Sequence, residues 1–582
     1  MDINVKTAEE NTENIKKSLF DPVEVKGISL KSAKAFFSGR FARMLRSISR
    51  LFSFTPARVY GLAFLSFGIL TLFLHLGEYY FMENPKVEVS SLIIGAAFVI
   101  LSIFFLPSDK PICTAVQSVK LFDFIVFDFF LISRMNQSDG KSRINGAVGI
   151  VSGFLLAVLG FFIPTEYSVL VILGLLLVIT AMVSPEFPYI ISLFLFPYFP
   201  ILPYSSYILA LLVTVTMISF VRKVFVGKRI FSFEIYDFLF LLLIMSVFVT
   251  AVILGGSAST ERALLTVLFL VGYFPASNMA VNRRLFDCVA SSLTVSAIPV
   301  AVYSIVSYII SCVSGAPESS KAFFGSSEIF AAYLCAVVTF ALFLAVNRRR
   351  KLKKAYYLGV FILALLALVT TEMLVLLAVL ILGLISLGII RTKKIHCILL
   401  IPVALLPVGL LFVGDSVLSK ISEIFYVSPA LTERKLSAYG AFDFFVRNPI
   451  LGTGINNPFT SSDFSSSLYL GMACRFGVLA FTVFLLLMIL RVCHFSLFKK
   501  YFSDSTVNFY AEISLLASVC MLVIGGLADI FADIEMVYFF VTVFSVGSSA
   551  LRISKREKEE MRSYYRELGR SDLAAIDVTL KK

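Results

Sequence analysis

SEIFAAYLCAVVTFALFLAVNRRRKLKK, residues 327–354, decides what kind of molecule this chain is. After Glu328 it carries no charge until Arg348, a run long enough to cross the roughly 30 Å of a bilayer core as a helix. The cations Arg348, Arg349, Arg350, Lys351, Lys353 and Lys354 follow at once, the signature of a cytoplasmic flank. The run is apolar on every side. A barrel strand would alternate, so the backbone polar groups are satisfied within a helix.

The pattern repeats along the chain. Of 582 residues 58% are hydrophobic and only 15% charged, with 59 Phe and no Trp, far from a soluble composition. Apolar runs predict an all-α polytopic membrane protein with about sixteen spans. They lie near 59–77, 90–106, 147–163, 168–184, 187–202, 204–221, 236–254, 262–279, 285–312, 328–346, 355–371, 372–390, 395–413, 467–490, 509–527 and 534–551. Pro188, Pro197 and Pro200 make 187–202 the least regular. KLFDFIVFDFFLISR (120–134) carries Asp123 and Asp128 and reads as an interfacial amphipathic helix.

Basic clusters fix the expected sidedness. Arg40, Arg43, Arg46 and Arg50 precede the first span, and Arg222, Lys223, Lys228 and Arg229 follow the sixth. Arg283 and Arg284, Arg391 to Lys394, Lys499 and Lys500, and Lys555 to Lys558 fall on that same side. The positive-inside rule then places both termini in the cytoplasm of a cell bounded by this membrane. The net charge of +13 accordingly reads as topology anchoring, not nucleic-acid binding. Eight scattered Cys without a CxxC pair indicate neither a disulfide framework nor a metal site, and no cofactor motif is present. The organisation expected is a cytoplasmic amphipathic segment (1–57), an accessory pair of spans with the interfacial helix (58–145), a transmembrane core (146–551) and a charged tail (552–582).

With that topology, 414–466 is the longest external loop. It contains RKLSAYGAFDFFVRNPILGTGINNPF, residues 434–459. Asn448, Pro449, Gly452 and Gly454 read first as structure: Pro ends a helix, and the glycines permit turns and close backbone approach. Backbone amides facing a phosphate are a second use of such a turn.

Arg434, Asn448-Pro449, Gly452-Thr453-Gly454, then Tyr469-Leu470 and Gly477-Val478-Leu479, together resemble the O-antigen ligase / O-antigen polymerase family of membrane glycosyltransferases. FFGSSEIFAAYL (323–334) is a weaker echo, and the resemblance spans roughly 320–550. It implies a GT-C-like core and transfer of glycan from a polyprenyl-diphosphate carrier to a glycan or lipid acceptor, without metal or other cofactor. It also implies an inverting displacement and work alongside other polysaccharide-assembly proteins. The departures are specific. The family's catalytic His falls on Ser466, the Arg of its Ser-Arg-Gly turn falls near Glu372-Met373, and its Trp falls on Ala438. Of the three His in the chain, His75 lies in the first span, and His396 and His494 fall at the cytoplasmic side.

Such chemistry needs cations for a departing diphosphate and a base for the acceptor hydroxyl. Arg434 is the first expected diphosphate contact and Glu372 the expected base. Arg475 is a second cation in the outer half of a span, where it contacts substrate or snorkels. Asp463, Ser466, Tyr469, Lys321 and Arg447 complete the expected substrate-binding set; Lys321, Lys435 and Arg447 also read as plain solvated charges. Asp529, Asp533 and Glu535 read as a solvated acidic loop. Two other functions remain open on sequence: a flippase of lipid-linked sugar, and a non-catalytic relative that binds it.

Overall fold

A computed structural model describes residues 23–25, 54–81, 89–131, 145–162, 174, 180–181, 184–347, 350–371, 412–419, 431–454, 467–498 and 505–567, with short breaks at 119, 203, 227–228, 255–256, 280–282 and 315–318. The chain is an all-α polytopic membrane protein. Among the described residues nine helices are long and apolar enough to cross a membrane. Four shorter apolar helices, Ser91–Phe105, Gly146–Phe162, Glu186–Ile201 and Tyr510–Gly526, stand where further spans are expected. The expected spans 372–390 and 395–413, and nearly all of 168–184, lie outside the described residues.

Proline shapes the irregular elements. Glu186–Leu195 is α-helical and tightens to a 3₁₀ helix over Phe196–Ile201, where Pro197 and Pro200 remove backbone donors. The expected helix 120–134 is helical over Lys120–Asp123 and Phe124–Phe129, and 132–134 lie outside the described residues. Helix begins upstream at Ile112, behind Pro111, and the turn Phe124–Phe129 widens to a π-helix before Leu131 adopts φ 53°. One antiparallel pairing, Val23–Val25 with Phe231–Phe233, is the sole sheet among the described residues.

The chain divides into two units. One comprises Ile28–Pro188 and Ile218–Lys228. Here Ala57–Phe81 packs against Val89–Phe105 and Gly146–Phe162. The last contact is backbone to backbone: a Cβ at Gly149 would lie 2.3 Å from the Val59 carbonyl oxygen, and one at Gly153 2.2 Å from that of Ala63. Small residues permit this approach, which lipid alone would not drive.

The other unit comprises Met1–Gly27, Tyr189–Met217 and Arg229–Lys582. Ser327–Val346 and Ile534–Arg556 run through its interior. Stacked rings of Phe240 on Tyr273 and Phe196 on Phe539 fill it, and hydroxyl pairs such as Ser192 with Tyr538 cross-link it. The helices Ser327–Asn347, Leu468–Phe498 and Ile534–Glu567 all begin at one end, called here the loop end.

At the opposite end buried charges are matched. Arg552 donates to both carboxylate oxygens of Asp237, at 2.6 and 2.7 Å, while Asp237 also accepts from the Glu234 amide and caps its own helix. Arg491 lies over the Phe544 ring at 4.7 Å and donates to Ser548, in a niche over Gly547 that a Cβ would fill.

Removing one partner of the Asp237–Arg552 pair strands the other charge. Asp237→Ala is expected to cost about 3–5 kcal/mol, read as a large fall in the thermal unfolding midpoint in detergent. Arg58→Ala, which breaks an exposed 3.7 Å pair with Asp109, leaves that midpoint nearly unchanged.

Candidate functional site

The motif loop opens with a helix, Leu431–Arg447, that lies against the start of Leu468–Phe498. Ala438 and Ala441 pack on Leu470 and Cys474, and the Cys474 thiol donates to the Ala441 carbonyl at 2.8 Å. Ala438 is fully buried in this seam. Arg434, on the same helix, is 4% exposed and donates to Glu328 at 3.0 Å. Arg434, the first expected diphosphate contact, is therefore buried and already paired. Glu328, in the first turn of Ser327–Asn347, draws Arg434 inward as an ion pair that joins the motif helix to the core.

Leu468–Phe498 is interrupted at Gly477, whose φ of 76° and ψ of −178° lie in a region essentially reserved for glycine. A break here strands backbone groups, and the motif loop satisfies them. The Thr453 and Gly454 amides donate to the carbonyls of Cys474 and Arg475 at 2.7 and 3.1 Å; the Val478 amide donates to Pro449 O at 2.8 Å. Both partners need glycine for this fit. A Cβ at Gly477 would sit 2.0 Å from Ile450 O, and one at Gly452, itself at φ 73°, 2.6 Å from the Cys474 and Arg475 carbonyls. Pro449-Ile450-Leu451-Gly452-Thr453-Gly454 is thus one half of a joint whose other half is Arg475-Phe476-Gly477-Val478.

The joint holds Arg475. Its guanidinium is 5% exposed, forms an ion pair with Asp529, and leaves Nε without a hydrogen-bond partner. The Asp529 carboxylate lies over Gly471, one turn before Arg475, and accepts the Phe531 amide at 3.1 Å. Arg475 borders a cavity of about 320 Å³ walled by Phe240, Phe476, Phe484, Phe531 and Phe540. Arg262 lines the same cavity, is exposed, and pairs with no carboxylate among the described residues. Two guanidiniums in an otherwise aromatic and aliphatic lining suit an anionic headgroup on a hydrocarbon chain.

The acidic loop is not solvated, contrary to the sequence expectation. Asp529 is 8% exposed against Arg475, and Glu535 accepts from Ser205 at 2.8 Å and Ser206 at 2.5 Å. Burial, with Glu535 as its hydrogen-bond and charge neighbour, pushes the Asp533 carboxyl well above its ordinary value. Among the described residues no group of three or more His, Cys, Asp or Glu is placed to hold a metal ion.

The sequence matches no protein-family model and no curated protein.

The remaining expected site residues separate. Tyr469 is buried and its hydroxyl donates to Leu522 O at 3.1 Å. Lys321 is exposed; Arg447 is exposed and paired with Asp443 at 2.5 Å; Lys435 bonds Asp415 at 3.0 Å and Val413 O at 2.8 Å. Asn448 and Pro449 are exposed at the end of the motif helix. Glu372, Asp463 and Ser466 lie outside the described residues. Arg262 escaped the sequence reading, and Asp529 was read as solvated rather than as the partner of Arg475. The signal for Asp529 was present: an Arg in the outer half of a span calls for a carboxylate, and Gly471 four residues earlier leaves room for one.

Gly477→Ala is expected to destabilise the joint by about 1–3 kcal/mol and to speed hydrogen exchange at the Thr453 and Gly454 amides. Gly359→Ala, where a Cβ meets nothing within 4 Å, leaves their exchange unchanged.

Proposed function

We propose that the protein is a membrane glycosyltransferase that polymerises or ligates polyprenyl-diphosphate-linked oligosaccharide at the outer face of the cytoplasmic membrane, for cell-surface polysaccharide. The carrying observation is Arg475, held at a helix break by the motif loop and bordering an aromatic cavity that Arg262 also lines. The loop end then faces outward, both termini face the cytoplasm, and about sixteen spans surround a GT-C-like core.

The reaction is an inverting displacement. The acceptor oxygen attacks the anomeric carbon while the bond from that carbon to the phosphate oxygen breaks. The diphosphate leaves with the electron pair, and its developing charge falls on fixed guanidinium donors. A rigid donor costs no reorganisation as charge develops, which is why a backbone joint under Arg475 matters more than an exposed, mobile cation. Arg434 acts here at one remove: its pair with Glu328 anchors the helix that delivers the loop. The hydrocarbon lining takes the first part of the carrier chain.

Reconstituted into proteoliposomes with lipid-linked repeat units, the wild type is expected to lengthen the glycan. Arg475→Ala is expected to slow elongation by about 10²-fold or more, and Arg58→Ala to leave it unchanged. Movement of the lipid across the bilayer without elongation would instead identify a flippase, and binding without either a non-catalytic relative.

A further inference from the structure

Among the described residues, the wall of the cavity offers little positive charge to the proposed reaction. Arg262 and Arg475 both line the cavity, but Asp529 neutralises Arg475, so the described residues of the wall offer a ligand a single net positive charge. A diphosphate with an ionised oxygen on each phosphorus exceeds it. Arg475 has donors to spare, since its buried Nε is unpartnered, yet the carboxylate beside it repels an anion. The mismatch is relieved if the ligand takes Arg475 away from Asp529.

We propose that Asp529 is the base of the transfer, released from Arg475 by the arriving diphosphate; this rests on the glycosyl-transfer reading above. The carboxylate is suited to such an exchange. It projects from the loop whose Phe531 and Ala532 form part of the cavity wall, and it occupies space over Gly471 that a Cβ 2.4 Å from its Oδ2 would deny it. Its side chain is 2% exposed, so with Arg475 drawn away it is a poorly hydrated carboxylate, one oxygen of which still accepts the Phe531 amide.

The step balances. The diphosphate oxygens accept the Arg475 N–H groups, and the freed Asp529 oxygen accepts the proton of the acceptor hydroxyl. The acceptor oxygen forms its bond to the anomeric carbon as the glycosyl–phosphate bond breaks, and the electron pair goes to the diphosphate. Departure of the diphosphate returns Arg475 to Asp529, which gives its proton to water. One ion pair therefore holds both catalytic groups idle until the donor is seated.

The test is Asp529→Asn, scored for two opposed effects. In nanodiscs it is expected to bind polyprenyl diphosphate at least as tightly as the wild type, because Arg475 is no longer neutralised. With the lipid-linked oligosaccharides of its own membrane it is expected to lose elongation by at least about a hundredfold. Asp529→Glu is expected to recover part of that loss. Elongation by Asp529→Asn close to the wild-type rate would overturn the assignment. So would joint loss of binding and elongation, which would leave Asp529 only the task of holding Arg475. Failure of the wild type itself to elongate would overturn the glycosyl-transfer reading, and this proposal with it.

Discussion

Two backbone hydrogen bonds, from the Thr453 and Gly454 amides to the carbonyls of Cys474 and Arg475, are what the loop end of this protein depends on. A helix cannot be broken inside an apolar bundle unless something else satisfies the groups it strands, since each orphan costs on the order of 1–3 kcal/mol. Here the loop supplies two donors, and Pro449, which has no N–H of its own, supplies an acceptor for Val478. The polar loop is thereby built into the bundle. Arg475, two residues before the break, is fixed by its own carbonyl as well as by its side chain.

Charge placement follows from the same economy. Buried guanidiniums are matched where they stand: Arg434 by Glu328, Arg475 by Asp529, Arg552 by Asp237, and Arg491 by hydroxyls, a carbonyl and the Phe544 face. Each match lowers the cost of holding a cation away from water, and each also dulls it as a ligand for anions. Arg434 and Arg552 join helices and do not line the cavity that Arg475 borders. Arg475 differs because it lines a largely apolar cavity that Arg262 also lines. A matched cation and one without a carboxylate partner among the described residues, lining one cavity, make an arrangement that a ligand can rearrange.

The class of the molecule was legible from hydrophobic run length alone, because a bilayer imposes one length on every span. Irregularity was legible where proline causes it, as at Pro197 and Pro200. The loop motif was legible as a place of glycine-dependent turns, but not as a partner of Gly477, since nothing in sequence spacing tells which carbonyls a turn will meet. Burial of polar groups was the hardest to read. Arg434 and Asp529 occur in polar stretches that look solvated, and only the packing of Leu431–Arg447 on the core and the proximity of Asp529 to Arg475 take them out of water. Arg262 fell in a short connecting segment with no motif about it. Its meaning comes from the cavity that separate helices enclose.

Arg475 is the guanidinium proposed to meet a lipid phosphate. Cryo-electron microscopy of the protein in nanodiscs with bound polyprenyl diphosphate tests this directly. The predicted result is a phosphate oxygen within about 2.7–3.2 Å of the Arg475 guanidinium, with the chain running along Phe484 and Phe540. Phosphate density at the opposite end of the bundle, or an occupied site with Arg475 still turned to Asp529 and touching no ligand, would contradict it.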